Sequence, residues 1–309
     1  MAATTIGEAL SSAQAVIDRL DAQYLLSHLL GTSRASLLAH PERGLDATAA
    51  NTYSIWIGER ANGKPVAQIT GTREFYGRDF GIDEHVLIPR PETEILVEQA
   101  LARFSEQNRL KMPADRPLSI LDMGTGSGAI AITLALERAD IAVTAIDSSA
   151  NALRCAATNA KRLNAQVDFV QSNWYAALAG QRFDAIVSNP PYVARDDPHL
   201  IEGDLRFEPL AALTDQSDDG LGAIRTIISG AGAHLLSGGW LLIEHGYDQA
   251  GRVRSLMAAA GLIELYSVCD LSGIERVSIG QRPHSVPANE QPIILETAVD
   301  RLRCLKVRV

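Results

Sequence analysis

From Ile6 to about Ile69 the apolar residues recur at the spacing of one helical face: Val16, Ile17 and Leu20, then Leu25, Leu26, Leu29 and Leu30. That period buries one stripe of each helix against its neighbours. Gly31 is placed to stop one of these helices. Ser33 and Asp46 offer side-chain oxygens to cap two more, the later carrying Tyr53, Ile55, Trp56 and Ile57. A small helical domain is therefore expected over 1–71. Two short extended stretches broken by glycines follow, Glu74 to Phe80 and His85 to Ile88, and read as a β-hairpin linker over 72–90. Pro91 suits the first position of a new helix, with Glu92 and Glu94 near its positive end.

After Leu118 the period shortens to that of strands separated by segments long enough for crossovers. The runs are 118–123, 141–147, 167–171, 183–188, 240–244, 263–268 and 275–279. Seven such runs alternating with helical segments predict an α/β fold, a mostly parallel sheet covered by helices on both faces. Ligands of such sheets bind beyond the carboxyl ends of the strands. The expected domain covers 91–280. Pro283, Pro287 and Pro292 then break the pattern, and 281–309 is set apart as an extension of unknown role.

Composition narrows the classes. The 309 residues carry 21% charged and 46% hydrophobic side chains, as in a globular protein with ample core, and the length suits two folded units. A formal net charge of −9 gives no general reason to bind a polyanion. Cys155, Cys269 and Cys304 form no C-x-x-C pair and lack a histidine at metal-ligand spacing, so neither zinc nor disulfides are expected. No apolar run is long enough to span a bilayer and no basic-then-apolar leader opens the chain. A cytoplasmic protein is expected.

Two motifs carry chemistry. Gly124, Thr125, Gly126, Ser127 and Gly128 join the first strand of the sheet to its helix, where glycines let backbone approach a nucleotide closely. Asp147 ends the next strand, placed to accept hydrogen bonds from ribose hydroxyls. Gly124, Gly126 and Ala129 also satisfy a loose dinucleotide fingerprint, which leaves a nicotinamide enzyme as a rival at this point. The second motif, Asn189, Pro190, Pro191 and Tyr192, follows the strand 183–188. An amide or aniline-like nitrogen is a poor nucleophile because its lone pair is conjugated. The Asn189 side-chain carbonyl and the Pro190 main-chain carbonyl can accept both N–H groups of such a nitrogen and stabilise positive charge growing on it. The prolines fix the backbone and remove competing donors, and Tyr192 can stack on a flat substrate group.

These stretches, with Lys64 to Gly71, Leu87 to Glu94, Asp122 to Ile130, Val187 to Tyr192, Arg206 to Pro209 and Glu244 to Gly246 in the same order, resemble the protein-(glutamine-N5) methyltransferases of class-1 peptide chain release factors. The resemblance runs to about Gly280. It implies a Rossmann-like class I methyltransferase fold and S-adenosylmethionine as donor, with S-adenosylhomocysteine as product. Cofactor contacts would fall on Gly124 to Gly128, Asp147, Trp174 and Asn189. Glutamine contacts would fall on Asn189, Pro190, Pro191 and Tyr192, of which Asn189, Pro190 and Tyr192 would act in catalysis. Many relatives carry Asp where Asn173 stands. The substrate would be the glutamine of a Gly-Gly-Gln motif in a release factor, docked partly by the amino-terminal helices, with no metal, no direct nucleic-acid partner and a monomeric enzyme.

A nucleic-acid methyltransferase acting on adenine N6 or guanine N2 remains the alternative, since the same loop serves an exocyclic amine. The acidic chain argues against it. His245 is expected to be held by hydrogen bonds beside a core strand rather than to act as a base, and Arg90 and Glu92 to pack a helix entrance.

Overall fold

The computed structural model describes residues 4–105, 116–201 and 203–284. Most of the extension set apart over 281–309, Cys304 included, lies outside the described residues. Five helices open the chain: α1 (Ile6–Gln14), α2 (Arg19–Leu30), α3 (Arg34–Ala39), α4 (Ala47–Ala61) and α5 (Val66–Thr70). Their caps are local. Thr5 and Glu8 form a reciprocal capping box on α1, Gly31 closes α2 in the left-handed region at φ 58°, and Ser33 and Asp46 accept the Ser36 and Ala49 N–H groups. Leu25, Leu26 and Leu37 are fully buried in the core these helices share, and Tyr53 donates its hydroxyl to the Ala22 carbonyl at 2.9 Å.

The hairpin is tighter than the sequence pattern suggests. Strands β1 (Thr72–Phe75) and β2 (Arg78–Gly81) both lie in or beside the first extended stretch, because Tyr76 and Gly77 take positive φ (52° and 72°) and make a two-residue turn. His85 to Ile88, expected as the second strand, is irregular chain. Helix α6 (Thr93–Arg103) starts beyond Pro91, since the Thr93 and Glu94 N–H groups reach back only three residues, to Arg90 and Pro91.

The remaining elements are β3 (Leu118–Met123), α7 (Ala129–Glu137), β4 (Ile141–Asp147), α8 (Ala150–Leu163), β5 (Asp168–Gln171), β6 (Phe183–Ser188), α9 (Leu210–Leu213), α10 (Gly222–His234), β7 (Leu235–Glu244), α11 (Ala250–Ala259), β8 (Ile263–Cys269) and β9 (Glu275–Gln281). The seven-stranded sheet has the order β5-β4-β3-β6-β7-β9-β8, parallel except for β9, which is antiparallel to both neighbours. One face buries α6, α7 and the hairpin, the other α10 and α11. The fold is the Rossmann-like, doubly wound arrangement. The chain moves outward one way through β4 and β5 and the other way through β6 and β7, so the reversal lies between β3 and β6. There Met123 pairs with Ser188, and the Ser188 hydroxyl donates to the Met123 carbonyl at 2.7 Å. The crevice outside this point is where such sheets bind ligands.

The loop between β6 and α10 returns to the helical region. Arg60 bridges Asp21 (2.6 Å) and Asp204 (2.9 Å), Gln68 donates to the Phe207 carbonyl at 2.8 Å, and Arg206 donates to the Asn62 carbonyl at 2.5 Å. Among the described residues no helix is long and apolar enough to cross a membrane.

Candidate active site

A cavity of about 290 Å³ opens at the strand-order reversal. One side is built by the turn after β3. Gly124, Gly126 and Gly128 all hold positive φ (77°, 55° and 83°), a region that side chains with a Cβ enter at a cost. Gly128 is also sterically required, because a Cβ there would lie 2.7 Å from Ile132 Cδ1 and 3.1 Å from Ala156 Cβ. Gly124 and Gly126 instead border the open cavity, and a Cβ on either would meet nothing within 4 Å. The turn is held from beneath by Asp122, fully buried, whose Oδ2 accepts the Thr125 hydroxyl at 2.7 Å. Burial pushes the Asp122 carboxyl up to about 7.

Asp147, at the end of β4, accepts the Gly126 N–H at 3.0 Å on Oδ2 and the Ser149 N–H at 2.8 Å on Oδ1. Desolvation raises its pKa against these bonds. Each carboxylate oxygen offers two lone pairs, so an acceptor remains on both for a diol. Trp174 and Asn173 line the same side, Trp174 half-buried at φ 49°. A glycine turn bare of side chains, a partly exposed acid with spare acceptors and an aromatic rim fit a nucleoside such as that of S-adenosylmethionine.

The other side starts at the end of β6. Asn189 donates from Nδ2 to Thr93 Oγ1 at 3.1 Å, and both residues border the cavity. Thr93, at the start of α6, is 3% exposed, and Glu244, ending β7, is 2% exposed. The buried Glu244 carboxyl lies near Thr93 and Tyr192, and its Oε2 has no hydrogen-bond partner. Desolvation first, then the nearby Glu92, push Glu244 up to about 7. Tyr192 packs beside the core under α10 and α11, its carbonyl accepts the Gln249 Nε2 at 2.9 Å, and burial raises its hydroxyl. The segment 85–89 closes the rim and is tied to the loop 205–209 by buried Glu208, which pairs with Arg90 and accepts the Ile88 N–H at 2.9 Å.

Of the residues singled out in the sequence, Gly124, Thr125, Gly126, Ser127, Asp147, Trp174, Asn189 and Pro191 border the cavity together. Gly128, Pro190 and Tyr192 do not line it. Pro190 is buried, and Tyr192 packs beside the core under α10 and α11. His245 is fully buried with Nε2 paired to Ser278 Oγ at 2.8 Å, in keeping with a structural role. Thr93 is a site residue that the sequence does not single out, although it lies inside a stretch that it marks, 87–94. Cys155 keeps a free thiol. Among the described residues no cluster could hold a metal ion.

The doubly wound sheet, the glycine turn after its first strand, the acid ending its second and the Asn-Pro-Pro-Tyr loop after its fourth define a class I, S-adenosylmethionine-dependent methyltransferase. Two family models agree: the PrmC N-terminal domain matches residues 3–71 and the methyltransferase small domain matches 108–202. The chain is 51% identical over 274 residues to the release factor glutamine methyltransferase of Burkholderia pseudomallei, covering 86% of this chain and 93% of that protein. It is 47% identical to that of Xylella fastidiosa (89% and 97% covered) and 43% identical to that of Escherichia coli (89% and 96% covered). The chain belongs to the release factor glutamine methyltransferase family.

Proposed function

We infer that this enzyme transfers a methyl group from S-adenosylmethionine to the side-chain amide nitrogen, N5, of a glutamine in peptide chain release factors. Its relatives carry that activity in their names across almost their full length. The Gly-Gly-Gln glutamine of class-1 factors is the proposed acceptor.

The observation that carries the reading is the Asn189 amide, tied through Nδ2 to Thr93 at the cavity wall. With the NH2 end occupied, the Oδ1 end is left to accept a substrate N–H. A neutral carboxamide offers two N–H donors and a conjugated lone pair. Holding both hydrogens, one on Asn189 Oδ1 and one on the Pro190 carbonyl, turns the lone pair toward the donor. The same oxygens favour the positive charge that develops on nitrogen. When bound, S-adenosylmethionine supplies an electrophilic methyl group on a sulfonium. The chain's own part is orientation, and near-attack positioning is worth on the order of 7–11 kcal/mol. No side-chain nucleophile is required, and the alkylated amide nitrogen is acidic enough to lose its proton to water.

Within this reading Gly124 to Gly128, Asp147, Trp174 and Asn189 hold the donor, while Asn189 to Tyr192 form the glutamine subsite. Because Tyr192 does not line the cavity and packs against the core, its proposed part is to brace the loop. Residues 1–71 serve as the docking domain, 72–90 as the linker, 91–280 as the catalytic domain and 281–309 as an extension. The enzyme acts as a cytoplasmic monomer without a nucleic-acid partner, as its net charge of −9 favours.

The test is transfer of labelled methyl to release factor, duplex DNA and tRNA offered side by side. Label on a single release-factor glutamine is expected; label confined to nucleic acid would reject the reading. Asn189→Ala should lower kcat by about 10²–10³, as removal of one oriented transition-state hydrogen bond does, with a far smaller change in S-adenosylmethionine affinity.

A further inference from the structure

Three stretches that the sequence marks, 64–71, 87–94 and 206–209, are only partly accounted for by donor binding and the Asn-Pro-Pro-Tyr loop. In the fold they meet. Gln68, on α5, donates from Nε2 to the Phe207 carbonyl at 2.8 Å. Arg206 donates to the Asn62 carbonyl at 2.5 Å, and a Cβ on Gly63 would collide with the same guanidinium, so the helical domain leaves room for that arginine. Arg60 adds its bridge from Asp21 to Asp204. The next residue after Phe207 turns the other way. The Glu208 side chain is fully out of water, with Arg90 on one carboxylate oxygen and the Ile88 N–H, at 2.9 Å, on the other. Pro209, Ala211 and Ala212 then border the cavity, and the Leu213 carbonyl accepts the Val193 N–H, directly after Tyr192, at 2.9 Å.

The order of these contacts along the chain carries the argument. Positions 204, 206 and 207 hold the helical domain, 208 holds the rim segment 88–90, 209, 211 and 212 face the cavity, and 213 holds the backbone that leaves the Asn-Pro-Pro-Tyr loop. A short strap therefore runs from the helical domain to the amide side of the cavity. Pro209, Ala211 and Ala212 have no polar side-chain atom with which to grip a ligand, so what they offer is shape. That shape depends on where the strap is pinned. A buried ion pair adds little stability over apolar packing, yet its charged hydrogen bonds are strict about where the partners lie. We propose that Glu208 is a positioning residue that pins the strap 204–213, so that the helical domain sets the wall beside the glutamine subsite and acts on methyl transfer as well as on docking.

The proposal deepens the function proposed above and rests on it. It is tested by steady-state kinetics on the intact enzyme with release factor as methyl acceptor, for Glu208→Ala, Glu208→Gln, Gln68→Met and the double variant Glu208→Ala/Gln68→Met. The kcat is taken per enzyme molecule that binds S-adenosylmethionine in a titration, so unfolded protein is not counted. Glu208→Ala frees the strap from the rim, and kcat should fall by about 10²-fold, the cost of a displacement on the order of 1 Å away from the chemistry. Glu208→Gln keeps the size and an acceptor for the Ile88 N–H, and should recover about tenfold of that loss. Gln68→Met keeps the length and removes the donor to Phe207; its kcat should fall by about fivefold, with the KM for release factor within about twofold of the parent. A docking contact gives the reverse split, because binding lost equally from ground and transition states raises KM alone. The double variant should be no more than about twofold slower than Glu208→Ala, since both changes loosen one strap. An unchanged kcat in Gln68→Met, a rise in KM alone, losses that multiply, or a glutamine variant as slow as the alanine one would each overturn the proposal. Should Glu208→Ala fail to fold, Gln68→Met, whose side chain is half-buried, still decides it by the split between kcat and KM. A parent enzyme that labels no release-factor glutamine would sink the proposed function itself, whereas an active parent with any of the contrary outcomes sinks the strap alone.

Discussion

The two sides of the cavity are supported from very different sequence ranges. On the donor side a buried carboxyl, Asp122, takes the hydroxyl of Thr125, three residues ahead in the turn it supports. On the amide side the Asn189 amide donates to Thr93, which belongs to a helix entrance at the far end of the domain, with the buried Glu244 carboxyl nearby. Both carboxyls are shifted up to about 7 by burial. The first pair shapes a backbone turn, so its partners arrive together in one short stretch of chain. The second aims a side chain, so its partners come from whichever elements the sheet order sets side by side. Binding a nucleoside needs mainly backbone shape; choosing an amide needs oriented side chains.

If the two carboxyls are equivalent devices, they should leave the same mark on stability. A carboxyl whose folded pKa exceeds its unfolded value contributes stability that is whole below the unfolded pKa and is lost as pH rises through the folded one. For Glu244 that window runs from 4.5 to about 7, and for Asp122 from 3.8 to about 7. Glu92 facing Glu244 deepens the effect and Arg276 lessens it. Urea unfolding of the parent and of Glu244→Gln across this range should diverge by on the order of 3 kcal/mol as the pH rises, the parent losing stability and the glutamine variant losing less. Asp122→Asn should diverge likewise. Parallel curves for one variant and divergent curves for the other would break the equivalence.

A smaller effect separates the two sides by stability alone. Gly128→Ala forces a Cβ into a left-handed position at φ 83° and against Ile132 at 2.7 Å. The expected cost is about 2 kcal/mol, with a lower urea midpoint and weakened donor binding. No glycine occupies the amide-side motif, so no single Cβ insertion there has that consequence. An unchanged midpoint would mean that the turn can relax without its glycine.

The same contrast decides what the chain discloses before it folds. The central strands Leu118–Met123 and Phe183–Ser188 are legible from apolar runs because they are buried on both faces. Gly124 to Gly128 and Asp147 are legible because backbone turns and strand ends leave local marks. The hairpin is legible from its glycine-broken extended stretches but its turn is not, since the sequence shows no asparagine or aspartate there and Tyr76 takes φ 52°. The contribution of Thr93 leaves no local mark at all. Threonine in a first turn reads as a capping residue until the strand order brings α6 to Asn189. Tyr192 reads as a substrate contact because its aromatic ring sits in the motif, whereas in the fold it packs beside the core and does not line the cavity.

The smallest expected effect is the sharpest measure of the division. Asp147 already accepts Gly126 and Ser149 N–H groups, one on each oxygen. Asp147→Asn keeps one acceptor and turns an NH2 toward the other N–H, so the turn must rearrange or lose a bond. It also removes acceptors from the position offered to a ribose diol. Isothermal titration should give S-adenosylmethionine affinity weaker by about fivefold, near 1 kcal/mol. The KM for the donor should rise with it, and kcat at saturating donor should change less than the affinity does. Asn189→Ala has the opposite signature, a large fall in kcat with little change in donor affinity. If Asp147→Asn lowered kcat and left affinity intact, the acid would belong to methyl transfer rather than to holding the donor, and the cavity would not divide into one side that binds and one that aims.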